Sequence, residues 1–185
     1  RVERVTRKRN MMTGKEATRR EGTTIPPDAA GEEAGAAPFR AAHVRVSENG
    51  KLLPEVEQVI AIIAKNNLVL ETGHVSPGEV LMILEEGKRQ GVRNMLVTHA
   101  TNEFPGLSVA QLKEAAKLGA YLEFVWSGTQ GGKFDQVAKA IREVGPEWCV
   151  ISSDLGQPAN PVHTDGLMEM YKGLKDRGFT VAEID

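Results

Sequence analysis

LVLETGHVSPGEVLMILEEGKRQGVRNMLVTH, residues 68–99, holds one complete β/α unit and the start of the next. Leu68–Thr72 is short and mostly apolar, as a strand buried in a parallel sheet should be. Gly73-His74 breaks it. Ser76-Pro77-Gly78-Glu79 then spells a capping box with proline at the first helical position. Val80, Leu81 and Leu84 form the stripe such a helix would bury. Asn94–Thr98 is a second apolar strand, closed by His99.

The same rhythm continues downstream. Ser108-Val109-Ala110-Gln111 is a second capping box, and Gly119 ends the helix it opens. Ala120–Val125 reads as a strand. A loop with Gly128, Gly131 and Gly132 leads to a helix over Phe134–Val144, and Trp148–Ser152 reads as the next strand. Pro158 and Pro161 delay a helix expected from about Asp165 to Arg177, and Thr180–Glu183 is a third capping box. Upstream, Ala42–Val46 alternates like a short strand, Asn49-Gly50 marks a turn and Pro54 opens a helix. That helix would carry Val56, Val59, Ile60 and Ile63 on one face.

Strand starts near 68, 94, 120 and 148 lie 26, 26 and 28 residues apart. The spacing fits one strand, two loops and one helix per repeat. Apolar strands alternating with amphipathic helices predict an α/β fold with parallel pairing. About five β/α units are expected. A closed barrel needs eight units and about 250 residues. The chain is therefore an open α/β sheet or a partial (β/α) TIM-type barrel. Its start at Arg1 and the capping box near its end favour the partial barrel.

Residues 1–40 differ in character from the rest of the chain. The first 24 hold eight Lys or Arg against three Glu, and a Gly/Ala/Glu/Pro stretch runs on to Pro38. Neither helical nor strand periodicity persists there, so 1–40 is expected to be disordered and 41–185 to form the barrel portion. A basic run can serve as a nucleic-acid arm, but without interleaved aromatics a solvated tail is the simpler reading. Net charge is −2, which gives no pull toward nucleic acid or membranes. Hydrophobic content of 41% is ordinary for a globular domain, and no apolar run is long enough for a membrane helix. A single cysteine, Cys149, cannot form an internal disulfide, which points to a reducing, cytoplasmic setting.

In parallel β/α folds ligands bind at the C-terminal ends of the strands. That edge would carry Gly73-His74, Thr98-His99, Glu123 and Ser153-Asp154. Imidazole nitrogen and carboxylate oxygen suit a borderline divalent ion such as zinc. Such an ion brings the pKa of its water near 7, ready to attack a carbonyl or phosphoryl centre. Each residue also has a structural reading: His74 could bond a loop, Asp154 could cap a helix, and Glu123 could face either side of its strand. Gln157 and Asn160 could orient a polar substrate, or be turn residues. His163, read as a loop residue, is a weaker substrate contact. His43 and Cys149 read as structural, and Trp126 either as a wall of the pocket or as a cover over the barrel mouth without function.

Four segments carry a family resemblance: Gly50–Glu55, Leu70–Pro77, Val97–His99 and Ile151–Pro161. Over about residues 40–185 the chain resembles an uncharacterised branch of the amidohydrolase superfamily of metal-dependent hydrolases. The resemblance implies a (β/α)₈ barrel fold. It also implies one or two divalent metals, zinc first with manganese or iron as alternatives. His74 and His99 would be the two later histidine ligands, and Asp154 the last ligand and general base for the attacking water. Glu123, Gln157, Asn160 and His163, read from their own positions at the rim and not from the resemblance, would contact a small-molecule substrate. That superfamily also uses a His-x-His pair on its first strand, and this chain contains none. The resemblance thus implies the C-terminal part of a barrel, weak or inactive alone, whose open edge favours a homo-oligomer. The other class of function open at this point is a non-catalytic β/α module that binds a small anion or a partner subunit at the same rim.

Overall fold

The computed structural model describes residues 44–185. The disorder expected over 1–40, and the Ala42-His43 end of the first expected strand, lie outside those residues. Val44–Val46 is not a strand. Pairing begins one residue later, in a small antiparallel hairpin of β1 (Ser47–Glu48) and β2 (Lys51–Leu52). Asn49 and Gly50 form its turn, both at positive φ (52° and 71°), as the hairpin-favoured primed turns require.

Helix α1 (Pro54–Lys65) follows and buries Ile60, while Val59 is 54% exposed rather than on the core face. Then come β3 (Val69–Glu71), α2 (Pro77–Arg89), β4 (Asn94–Val97), α3 (Val109–Leu118) and β5 (Ala120–Val125). A one-turn helix α4 (Trp126–Thr129) precedes α5 (Phe134–Val144). A 3-10 turn over Pro146–Trp148 leads into β6 (Cys149–Ser152). Helices α6 (His163–Asp176) and α7 (Val181–Ile184) close the chain. The capping boxes read at Ser76 and Ser108 both form, as does the one at Thr180. The helix expected from Asp165 starts earlier, because Val162 is extended and His163 can take the first helical position.

The four longer strands form one parallel sheet in the order β3-β4-β5-β6. Leu70 pairs with Met95, Met95 with Ala120, Val97 with Leu122, and Phe124 with Ile151. Residues at alternate positions point to opposite faces. One face carries Leu70, Met95, Val97, Leu122 and Phe124, all buried with the apolar sides of α2, α3 and α5. The other face presents Val69 (58% exposed), Tyr121 (45%) and Val150 (38%), with Glu71 and Glu123 interspersed. The sheet is therefore covered on one side only among the described residues. Because the strands run parallel, the loops carrying His74, His99 and Asp154 emerge at one common edge.

Candidate functional site at the strand ends

The β3 and β4 rims are tied together by short polar bonds. Thr98 Oγ1 accepts from the Gly73 amide (2.8 Å) and donates to Glu71 Oε1 (3.2 Å). The Thr98 amide donates to Thr72 Oγ1 (3.3 Å). Gly73 turns the chain at φ 67°, a conformation glycine adopts without penalty. The turn lays His74 over the end of β4, where its Nε2 stands 2.8 Å from His99 Nε2. The two ring centroids are 4.6 Å apart.

His99 is held from its other side. Its amide donates to Glu123 Oε2 (2.9 Å), and Glu123 Oε1 accepts from Ser152 Oγ (2.6 Å). Glu123 thus spans from the end of β4 to the end of β6. Its carboxylate is committed to positioning the rim, which leaves it little capacity to receive a substrate. His99 is only 8% exposed and its backbone sits at φ 26°. Its Nδ1 is buried with no hydrogen-bond partner among the described residues. Asp154 also has positive φ, 47°. Non-glycine residues in this region cost of order 1–3 kcal/mol and gather at sites where function demands them. Of the four such residues described, Asn49 and Asn67 are asparagines in turns, and the other two, His99 and Asp154, each follow a strand, β4 or β6, by two positions.

The structure brings His74 and His99 together but does not add Asp154 to them. Asp154 is exposed at the same edge. Among the described residues no group of three or more His, Cys, Asp or Glu side chains is arranged to hold a metal. Two nitrogens bound to one tetrahedral zinc stand about 3.3 Å apart, from bonds of about 2.0–2.1 Å. The imidazole pair therefore fits two corners of such a site if exposed His74 moves by about half an ångström. The remaining corners need groups beyond this pair.

Gln157 and Asn160 bond each other (Asn160 Nδ2 to Gln157 Oε1, 2.7 Å) in the loop after β6. His163 is exposed on the first turn of α6. These three, Glu123 and Asp154 line neither of the two pockets beside the histidines. Trp126 donates to Glu169 (2.5 Å) and packs near Gly166 rather than walling a pocket.

The first pocket, about 360 Å³, contains both histidines together with Asn102, Glu103, Ser127 and Lys133. Asn102 Nδ2 donates to Ser127 Oγ (3.1 Å), and a Cβ at Gly128 would run into Asn102 Oδ1. The second, about 250 Å³, is apolar, with Leu107, Leu112, Val137 and Ala140 in its walls. Thr101, Gly128 and Lys133 belong to both. Sequence reasoning missed the 101–107 loop and Lys133. The only signal was Lys133 standing between a Gly-Gly pair and a helix.

Cys149 is unsuited to nucleophilic work. Burial, and secondarily the Glu147 charge, push its thiol up to about 12. Its Sγ lies 3.3 Å from the Gly145 carbonyl, to which it donates. No described helix is long and apolar enough to cross a membrane.

A model of a protein family described as a family of unknown function (DUF6282) matches residues 9–123. The matched stretch includes His74, His99 and Glu123 and ends before β6. No curated protein and no solved structure matches the chain.

Proposed function

The chain belongs to this family of unknown function, DUF6282, and we propose that it forms the later part of a metal-dependent hydrolase of the amidohydrolase type. In this reading the sheet is a section of a (β/α) barrel. The support is topological: four parallel strands in sequential order, without the reversal that marks a doubly wound sheet. The observation that carries the chemical reading is the 2.8 Å approach of His74 Nε2 to His99 Nε2 at the strand ends.

His74 and His99 would hold a divalent ion, zinc by the softness of imidazole, with manganese or iron as alternatives. Their remaining partners would come from outside the pair. When bound, the ion supplies a water whose pKa falls near 7. Glu123 keeps His99 in place through the backbone. Asp154 lies exposed at the same edge but outside the histidine pocket, so to act as the base that the resemblance implies its loop would have to carry it to the attacking water. The pocket would admit a small molecule with an amide, ester or related bond. The single cysteine agrees with a reducing, cytoplasmic setting.

Zinc titration by calorimetry tests the reading. Uptake by the wild-type chain should be weak, because the pair fills only two corners of the site, and His99→Ala and His74→Ala should each weaken it at least tenfold further. Absence of zinc binding, or binding indifferent to both substitutions, would contradict it. A second reading, a non-catalytic module for a small anion, draws on Lys133 in the pocket wall. It would prevail if the chain bound small carboxylates but no metal.

A further inference from the structure

We propose that the ligand of this site is a small amphipathic carboxylate, with an apolar chain in the Leu112–Val137–Ala140 pocket and its carboxylate at Lys133. The inference goes beyond the hydrolase reading: it concerns the pocket that adjoins the His74–His99 pocket and places no ligand atom on either ring. Three observations carry it. The polar pocket and the apolar pocket adjoin, sharing Thr101, Gly128 and Lys133. A single molecule can therefore occupy both.

The apolar pocket is lined by side chains that belong to the core: Leu112 is fully buried, and Leu107, Val137 and Ala140 nearly so. Its volume of about 250 Å³ suits a chain of a few carbons or one small ring. Water there finds few partners, so an apolar group gains by replacing it.

Lys133 stands where the two pockets meet, and none of the ion pairs among the described residues uses it. Glu103, the one carboxylate in the walls, belongs to the polar pocket alone. A negative group is thus favoured at the junction and disfavoured further in. Exposed Ser127, in the polar wall beside the junction, accepts from Asn102 and keeps its own proton to donate. One ammonium and one hydroxyl match a carboxylate better than a doubly charged phosphate, which calls for more donors.

The test is calorimetric binding of hexanoate, acetate, hexanol and hexyl phosphate to the metal-free chain. Hexanoate should bind at least tenfold more tightly than acetate, since each buried methylene adds to affinity. It should also bind at least tenfold more tightly than hexanol. Lys133→Met should erase the advantage over hexanol and keep the advantage over acetate. Ala140→Leu should fill the apolar pocket and erase the advantage over acetate. If that variant does not fold, exposed Gln136→Trp on the same wall should do the same. Equal binding of acetate and hexanoate, or tighter binding of hexyl phosphate, would overturn the proposal. No metal is present in the experiment. A chain that binds zinc but not hexanoate refutes this inference alone, and one that binds hexanoate but not zinc refutes only the hydrolase reading.

Discussion

Glu123 links three strands' worth of chemistry through two oxygens, one on the His99 amide and one on the Ser152 hydroxyl. Removing it leaves two partly buried donors without acceptors, which costs about 1–3 kcal/mol. Glu123→Ala should therefore lower stability in urea by that amount and weaken zinc uptake. Glu123→Gln, which keeps one acceptor, should do less on both counts. Equal effects, or none, would show that the bridge does not position His99. Cys149 gives a second test at this scale. With its thiol pushed up to about 12 by burial, it should resist a thiol reagent at pH 8 in the folded chain and react after unfolding. The unfolded thiol ionises near pH 9 while the folded one does not, so Cys149 lowers stability as pH rises past 9. The placement of His74 and His99 at one edge was legible in the sequence because both follow a parallel strand. The role of Glu123 was not, since side-chain direction depends on strand register, which composition and periodicity leave open.

Capping boxes were the most reliable signals along the chain, because they act within four residues and need no tertiary partner. All three form, yet they are not equal. The box at Ser76 is buried, and its Glu79 also accepts from Ser47 (2.7 Å), which ties β1 to α2. The box at Ser108 is exposed. Loss of a cap typically costs about 1 kcal/mol. Ser76→Ala should exceed that figure and Ser108→Ala should fall at or below it. The reverse order in thermal unfolding would refute the assignment of burial as the deciding factor. Within the described residues, the strand expected to run on to Val46 is not formed at Val44–Val46, and the reason is physical. Alternation alone cannot distinguish a strand from an extended lead-in, and the Asn49-Gly50 turn captured Ser47 and Leu52 instead. The short α4 was missed because four residues carry too little periodicity to register.

Parallel sheets normally have both faces covered. Here Val69, Tyr121 and Val150 stand exposed on the face opposite the helices. Such a surface should associate, so light scattering should find self-association that rises with concentration. A Val69→Lys, Tyr121→Lys, Val150→Lys variant should move the chain toward monomer. A sharp monomer for the unaltered chain at high concentration would count against this. The α/β class and the repeat length were legible because periodicity is a local property summed over many residues. The one-sided covering was not, because it depends on which elements pack over the second face.

The convergence of the two imidazoles is tested most directly by following ring-nitrogen NMR signals of the four histidines during zinc addition. The Nε2 resonances of His74 and His99 should shift together, while His163 stays in place. Zinc that leaves both rings unchanged, or that moves one of them without the other, would contradict a shared metal site.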